Sequence, residues 1–209
     1  LLEHNGQIVR GEGYITDDLT EKAMDFMEAN KKNPFFIYIP YNAPHAPMQV
    51  PDEWWDKFKE KELLMHADER NKEDIDFTRA ALSMCENIDW NVGRIMDRLK
   101  KLNLEENTII VYFHDNGPDK LRWNGGMKGR KGSTDEGGIR SPLFMSWQGV
   151  IHPGLRIDKI AAAIDLLPTL ADLAGIRYNI QKPLDGLSLK PLLFNNNPEK
   201  ENNNIKRIK

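Results

Sequence analysis

Apolar positions recur along the chain with a helical period in two places. Residues 18–31 carry apolar side chains on one helical face, after an Asp18–Glu21 pair that matches a capping box. Residues 72–102 repeat apolar side chains at helical spacing over a longer stretch. The pattern predicts two helices, of which the second is the longest in the chain and ends near Asn103.

Short, nearly continuous apolar runs lie between and after these helices. PFFIYIPY, residues 34–41, is rich in aromatic and β-branched residues, which predicts a strand buried on both faces of a sheet. TIIVYF, residues 108–113, and SPLFMSW, residues 141–147, predict two further strands. The order helix, strand, long helix, strand is typical of the α/β class, a mostly parallel sheet with helices on both faces.

The last fifty residues combine a helical pattern with a polar end. Residues 158–175 predict a helix that Pro168 bends or divides and that Gly175 ends. DGLSLKPLL, residues 185–193, predicts a short helical turn. The asparagine-rich residues 195–209 predict a poorly ordered tail.

Composition narrows the class of protein. A chain of 209 residues with 40% apolar content is long enough for a sizeable core, and its net charge of −3 argues against nucleic acid as a partner. The single cysteine, Cys85, excludes an internal disulfide, and its apolar helical setting predicts a buried thiol rather than a nucleophile. No run has the length of a transmembrane helix, and residues 1–20 lack a signal-peptide pattern.

Polar side chains follow two of the predicted strands. His45 comes after the first strand, and Asp115 and Asn116 come directly after the second. The carboxyl ends of parallel strands share one edge of a sheet, where ligands bind. A carboxylate and an amide oxygen are hard ligands that suit Ca²⁺ or Mg²⁺, although two are too few for a complete site. The alternative for Asp115 and Asn116 is an ordinary turn.

A glycine-rich loop with three cations follows. Lys128, Arg130 and Lys131 lie where the backbone can approach a ligand closely, an arrangement suited to a tetrahedral oxyanion beside a metal. The alternative for each cation is a solvated basic loop. Glu136 and the two glycines after it also fit a turn and cap, and His45 also fits a loop histidine held by backbone hydrogen bonds.

Three ordered segments resemble a known family. PFFIYIPYNAPHAP, NTIIVYFHDNGP and GRKGSTDEGGIRSP, with ENIDWNVGRIMDRL between the first two, resemble the later half of the catalytic domain of type I sulfatases. These are the formylglycine-dependent arylsulfatases of the alkaline-phosphatase superfamily. The resemblance covers residues 10–193 and implies an incomplete alkaline-phosphatase-like fold. Residues 1–184 would belong to the catalytic domain, and residues 185–209 would comprise the start of a smaller C-terminal subdomain and the polar tail.

The resemblance assigns roles to individual residues. Asp115 and Asn116 match two ligands of a Ca²⁺ site, for which Mg²⁺ is an alternative ion. His45 matches a histidine that contacts the sulfate ester and can protonate the leaving oxygen. Lys131, five residues before Glu136, matches a lysine that binds a sulfate oxygen, whereas Lys128 has no firm counterpart. The implied catalytic and substrate-binding residues are therefore His45 and Lys131.

Neighbouring residues both match and depart from the family pattern. Residues 136–138 and Arg140 match a structural signature that holds the loop against the sheet. His114 stands where a small hydroxyl residue is common, and Asp135 stands where an aromatic is common. These two departures affect the expected shape and substrate preference of the pocket.

The family's nucleophile is a formylglycine hydrate made from a Cys/Ser-x-Pro-x-Arg motif, and this sequence contains no such motif. The resemblance therefore implies a fragment of a sulfatase, with the formylglycine and further metal ligands in a preceding portion. The parent would hydrolyse an aryl sulfate or a sulfated carbohydrate, in the periplasm, outside the cell or in the lysosome. The fragment alone is predicted to be inactive.

Two alternatives accompany this interpretation. Phosphate or phosphonate monoester hydrolases of the same superfamily would more often place His after the metal-binding Asp, so Asn116 favours sulfate. A non-catalytic binding module on the same fold is the second alternative. An incomplete sheet argues against it, because the sheet would leave an unpaired edge and exposed apolar faces.

Overall fold

A computed structural model describes residues 2–177 and 182–194. The chain divides into two compact units, Leu1–Phe144 and Met145–Lys209. The predicted tail at residues 195–209 lies outside the described residues, and the predicted domain boundary at residue 184 stays a prediction. No helix of the described part is long and apolar enough to cross a membrane.

The first unit contains most of the regular structure. Its strands are β1 (Leu2–His4), β2 (Gln7–Val9), β3 (Ile110–Phe113) and the start of β4 (Leu143–Ser146). Its helices are α1 (Ile15–Asn30), α2 (Asp52–Trp55), α3 (Ile75–Lys101) and α4 (Glu136–Ile139). Short 3-10 helices span Arg70–Lys72 and Glu105–Asn107.

The hairpin of β1 and β2 is an element that the sequence interpretation missed. The two strands pair antiparallel, with Leu2 opposite Val9. Asn5 and Gly6 form the turn with φ angles of 52° and 82°. An Asn-Gly pair is a strong hairpin signal because both residues tolerate positive φ, so the sequence did carry the information.

Helix α1 begins earlier than predicted, and the capping box at Asp18 is wrong. The helix starts at Ile15, and its N-cap residue Tyr14 makes no side-chain capping bond. Asp18 instead lies inside the first turns, where its buried carboxylate accepts a hydrogen bond from Lys22. Acidic residues in the first turn stabilise the helix through its dipole without acting as caps.

Helix α3 is confirmed as the longest helix. The Asp74 side chain caps it by accepting a hydrogen bond from the Phe77 backbone N–H at 3.0 Å. Asn103 follows the helix with φ 56°, as expected for a terminator. Cys85 lies half-buried on α3, and burial raises the pKa of its thiol, which fits a core thiol rather than a nucleophile.

We expect Gly93→Ala to stabilise the chain by about 0.5 to 1 kcal/mol. Gly93 lies inside α3, and an added Cβ would meet no atom within 4 Å. Alanine therefore lowers the entropy of the unfolded chain without a clash. Urea unfolding of the two variants measures the difference, and a loss of stability would contradict the open surface that the structure gives this position.

Two apolar clusters on α3 fix the direction of β3. Ile110, at the start of β3, packs on a cluster formed by Met24, Met27, Ile95 and Leu99. Tyr112, two residues later, packs on a cluster formed by Ala43, Met84 and Ile88. The later residue of β3 packs on the earlier part of α3. The strand therefore runs back along the helix toward the N-terminal end of α3. The residues after β3 therefore emerge on the side of the N-terminal half of α3.

The mostly parallel sheet is not confirmed among the described residues, which contain only two two-stranded sheets, β1–β2 and β3–β4. The predicted strand at residues 34–41 is extended but joins neither sheet. Its odd-numbered side chains Phe35, Ile37 and Ile39 pack on the α1–α3 cluster. Phe36 and Tyr38 are 76% and 67% exposed, so only one face is buried. The prediction of burial on both faces is therefore wrong for the described chain, because nothing in it covers the second face or pairs with the backbone.

The second unit contains a shorter helix than predicted. A 3-10 helix (Ala163–Asp165) leads into α5 (Leu166–Leu173), and Pro168 lies in the first turn of α5 instead of dividing a longer helix. Proline fits there because the first N–H groups of a helix have no intrahelical acceptor. Gly175, with φ 66°, follows the helix as predicted. The predicted turn at residues 185–193 is confirmed as α6 (Lys190–Leu193).

A buried carboxylate ties the segment before α3 to the helix. Glu73 has a side chain with 0% exposure. Its Oε2 accepts from the Ala67 N–H at 3.1 Å and the His66 Nδ1–H at 3.0 Å, and its Oε1 accepts from Thr78 Oγ1 at 3.1 Å. Burial alone would raise the pKa of Glu73, but these hydrogen bonds outweigh it, so the pKa lies below the ordinary value of 4.5.

We expect Glu73→Gln to lower the free energy of unfolding at pH 7 by about 1 to 3 kcal/mol. The folded pKa is below the unfolded one, so the carboxylate's contribution is present above pH 4.5 and is lost as pH falls through the folded pKa. Urea unfolding at a series of pH values should show the gap between the variants closing in acid. Glu60→Gln, at an exposed position, is the control; a gap independent of pH would contradict the assignment.

Candidate active site

The polar pair predicted at the end of β3 lies at the start of a long loop that leads to α4. Asp115 is exposed, and its carboxylate makes no hydrogen bond or ion pair within the described residues. Asn116 is half-buried, and its Nδ2 donates to the Gly117 carbonyl at 2.8 Å. The carboxylate oxygens of Asp115 and the Oδ1 of Asn116 therefore keep their lone pairs for a ligand.

Three glycines clamp the two ends of this loop together. The Gly117 N–H donates to the Gly138 carbonyl at 2.9 Å. A Cβ on Gly117 would lie 1.8 Å from the Gly137 carbonyl oxygen, and a Cβ on Gly138 would lie 2.2 Å from the Ser133 carbonyl oxygen. Only glycine permits such close approach of backbone to backbone. The clamp thus holds residues 117–118 against α4.

Lys131 is brought to the polar pair by the same loop. Its backbone N–H donates to the Pro118 carbonyl at 2.9 Å, two residues beyond Asn116. Its half-buried side chain makes no ion pair within the described ranges. The structure therefore brings the segments of three of the four predicted site residues together, namely those of Asp115, Asn116 and Lys131.

The other cations of the loop have different surroundings. Lys128 has 87% of its side chain exposed and pairs with Asp135 at 3.3 Å. Asp135 also accepts from Ser133 Oγ at 2.8 Å, and this hydrogen bond, followed by the one from Lys128, lowers the pKa of its carboxyl. Arg130 is exposed. Asp135 therefore serves the internal structure of the loop.

The predicted loop signature, residues 136–138 with Arg140, has a buried part and an exposed part. The two glycines are buried, and the Gly137 N–H donates to the Lys128 carbonyl at 2.7 Å. Glu136 and Arg140 form an exposed ion pair at 3.6 Å. Surface pairs of this kind contribute little to stability, so the glycines account for the loop's rigidity.

A hydrogen-bonded group behind the polar pair was missed by the sequence interpretation. The Tyr112 hydroxyl shares a hydrogen bond of 2.7 Å with His114 Nε2, and Ser141 Oγ donates to the His114 carbonyl at 2.7 Å. Burial lowers the pKa of His114, an effect that the Asp115 carboxylate offsets in part. Alternation along β3 places Tyr112 and His114 on one face, which is the signal that could have paired them.

His45 is less firmly connected to the site. It is exposed, and its Nδ1–H donates to the adjacent Ala46 carbonyl at 2.8 Å, which leaves Nε2 without a proton in the neutral ring. Among the described residues its side chain makes no hydrogen bond to Asp115, Asn116 or Lys131. Nevertheless, Ala43 in the loop of His45 and Tyr112 of β3 pack in the same cluster on α3. The loop of His45 and the end of β3 therefore lie against the same region of the helix.

The donor set fits a hard divalent cation in part. Asp115 and Asn116 supply carboxylate and amide oxygens, whereas Ca²⁺ takes about six to eight oxygen ligands. No group of three or more His, Cys, Asp and Glu side chains suited to a metal occurs in the described part of the chain. The residues present therefore fit a shared site to which other groups contribute. With Lys131 nearby, such a rim suits an anionic ester.

Similarity to known proteins identifies the family of the chain. The family model "Sulfatase" matches residues 3–176, and the chain belongs to the sulfatase family.

Individual relatives agree with this assignment. The uncharacterized sulfatase YdeN of Escherichia coli is 36% identical over 199 residues, which cover 92% of this chain and 33% of that protein. The steryl-sulfatase of Rattus norvegicus is 30% identical over 190 residues, covering 86% of this chain and 30% of that protein. The crystal structure of Ps i-CgsB in complex with k-i-k-neocarrahexaose superimposes with a TM-score of 0.78 at 37% identity, covering 90% of this chain and 40% of that one.

The chain covers only a small share of the length of these relatives. The chain spans about a third of the length of the curated relatives it matches. Its structural neighbours share the alkaline-phosphatase-like fold, of which the chain matches a part, and they include sulfatases and a phosphonate monoester hydrolase that is 20% identical.

Proposed function

We propose that the chain is the later part of a sulfatase whose full-length parent hydrolyses sulfate esters. In this reaction the bond between sulfur and the ester oxygen breaks, water supplies the new oxygen on sulfur, and the leaving oxygen receives a proton. The products are sulfate and a free alcohol or phenol. The shares of length covered in the relatives support the idea that this chain carries only part of the machinery.

One observation carries the proposal. The glycine clamp and the bond from the Lys131 N–H to the Pro118 carbonyl join the loop of the oxygen pair to the loop of the lysine. A sulfate ester needs positive charge against its sulfuryl oxygens as charge redistributes in the transition state. A lysine whose backbone is joined to the segment of Asp115 and Asn116 would supply such charge there.

The residues would divide the work as follows. Asp115 and Asn116 would hold a divalent cation, which we propose to be Ca²⁺, and the cation supplies further positive charge to the sulfuryl oxygens when bound. Lys131 would bind a sulfuryl oxygen through its ammonium group. The half-buried setting of Lys131 and the absence of an ion pair within the described chain support this role.

His45 would protonate the leaving oxygen. Its Nδ1–H is held by the Ala46 carbonyl, so Nε2 is the ring atom that would carry the transferred proton. The nucleophile would be the family's formylglycine, which this sequence does not encode. We therefore propose that the chain alone releases no sulfate.

The finer features of the fold belong to the same proposal. The extended residues 34–41 would join a mostly parallel sheet in the parent, and the exposed ring faces of Phe36 and Tyr38 support a covering layer on that side. Residues 185–209 would open the smaller C-terminal subdomain.

Sulfate release by the full-length parent, produced together with a formylglycine-generating enzyme, tests the proposal. The parent should release sulfate from 4-nitrophenyl sulfate in the presence of Ca²⁺ faster than it hydrolyses 4-nitrophenyl phosphate or a phenylphosphonate ester. The present chain alone should be inactive on all three. Faster turnover of the phosphonate would assign the parent to the neighbouring hydrolases and overturn the proposal.

A further inference from the structure

Two cations share one aromatic ring at the N-terminal end of α3. Lys120 Nζ lies 5.7 Å from the centroid of the Phe77 ring, and Arg122 Cζ lies 5.5 Å from it. We call Phe77, Lys120 and Arg122 the Phe77 platform. Neither the fold nor the roles proposed above for the site account for two like charges against one ring.

The Arg122 guanidinium lacks hydrogen-bond acceptors. It makes no hydrogen bond to any described residue, and its buried Nε has no partner. A guanidinium carries five N–H donors in a planar fork, and leaving buried donors unpaired is costly. The half-buried side chain is thus arranged like a group that binds an anion.

The nearby carboxylates of Glu73 and Asp119 accept no hydrogen bond from Arg122. Burial, the dominant effect, lowers the pKa of Arg122, and the charges of Asp119 and Glu73 only partly offset it. Glu73 already accepts three hydrogen bonds, from Ala67, His66 and Thr78. Asp119 is exposed and makes no hydrogen bond to Arg122. Lys120 is exposed and has no ion pair in the described ranges.

The platform lies on the side of the candidate site. Because β3 runs back along α3 toward its N-terminal end, Asp115 and Asn116 emerge in the direction of Phe77. Lys120 and Arg122 belong to the same loop, between Asn116 and Lys131. An extended substrate held at the polar pair could therefore present a second group to the platform.

We propose that the Phe77 platform binds a second oxyanion, a sulfate or carboxylate group, on a saccharide substrate whose scissile sulfate occupies the candidate site. The inference rests on the proposed sulfatase function and narrows its substrate class to polyanionic saccharides. Arg122 would bind two oxygens of the group through its fork, and Lys120 would add an exposed charge. Phe77 holds both cations in place through its ring face.

Kinetics of the full-length parent test the inference with three saccharides that share the same scissile sulfate. The first has no second anion, the second has a second sulfate, and the third has a carboxylate. The wild type should show higher kcat/KM on one or both dianionic substrates, and the response to each tells sulfate from carboxylate. Arg122→Gln should lower kcat/KM on the preferred substrate by about 10- to 100-fold and leave the monoanionic substrate unchanged.

Matched variants separate binding from folding. Arg122→Lys keeps the charge and should lose less than Arg122→Gln, and the exposed Lys120→Gln should lose a few-fold. Lys61, whose Nζ lies 4.9 Å from the Phe58 ring, offers a second cation against an aromatic ring, so Lys61→Gln is the control and should change nothing. An Arg122→Gln effect equal on all three saccharides, or a wild type without preference, would overturn the inference.

A binding measurement keeps this test separate from the proposed function. If the parent releases no sulfate at all, the function proposed above fails, and the platform is tested in the present chain by the NMR signal of the Arg122 Nε–H. A saturable shift with a disulfated disaccharide, absent with the unsulfated disaccharide, would support the platform. No shift with either, or the same shift with both, would overturn it.

Discussion

Lys131→Ala in the full-length parent should lower kcat/KM for 4-nitrophenyl sulfate by about 100- to 1,000-fold, the usual cost of removing one preorganised charge-stabilising group. The Lys131 backbone is held by the Pro118 carbonyl, so the side chain starts from a fixed point beside the segment of Asn116. Most of the loss should fall on kcat, because the interaction strengthens as charge redistributes toward the transition state. Steady-state kinetics of sulfate release measure both constants.

Lys128→Ala is the matched control for this prediction. Lys128 is three residues away, is 87% exposed along its side chain and, among the described residues, pairs only with Asp135. Its loss should change kcat/KM no more than about threefold, as expected for an exposed ion pair. Equal losses in the two variants would show that the general basic charge of the loop matters and that Lys131 has no special role.

Gly138→Ala should disrupt the loop severely. The new Cβ would lie 2.2 Å from the Ser133 carbonyl oxygen and 2.5 Å from the Arg130 carbonyl oxygen, both backbone atoms that cannot rotate away. We expect a loss of about 3 kcal/mol or more in the free energy of unfolding, the scale of overpacking with backbone shifts. Urea unfolding of the present chain measures it.

The same variant should nearly abolish sulfate release by the parent, because the clamp fixes Lys131 against the segment of Asp115. Gly93→Ala, which adds a methyl group on open helix surface, is the control and should leave activity unchanged. Wild-type stability in Gly138→Ala would contradict the close packing of the clamp. Wild-type activity despite lost stability would contradict its role in placing Lys131.

The apolar pattern of the sequence was sufficient to predict α3, β3 and β4, because α3 carries a long apolar stripe and the two strands carry short apolar runs. It failed where tertiary contacts decide. Asp18 looked like a helix cap, yet its carboxylate is buried inside the first turns beside Lys22. Residues 34–41 have the composition of a doubly buried strand, but only one of their faces is covered by described residues.

The roles of Asp115, Asn116 and Lys131 stay predictions from short motifs. The structure shows that their segments lie together, because glycines allow close backbone contacts between them. The contact of Arg122 with the Phe77 ring could not be predicted, because the two residues are 45 positions apart in sequence and neither shows a periodic signal. The pairing of Tyr112 with His114 was within reach of strand alternation.

The central claim is that Asp115 and Asn116 hold a divalent cation that acts on a sulfate ester beside Lys131. A Ca²⁺ titration of sulfate release by the full-length parent, after removal of metal with a chelator, tests it most directly when wild type and Asp115→Ala are compared. We predict that the wild type loses activity on chelation and regains it saturably with Ca²⁺, while Asp115→Ala requires at least about tenfold more Ca²⁺ or stays inactive. Equal activity and equal Ca²⁺ dependence in the two proteins would contradict the account.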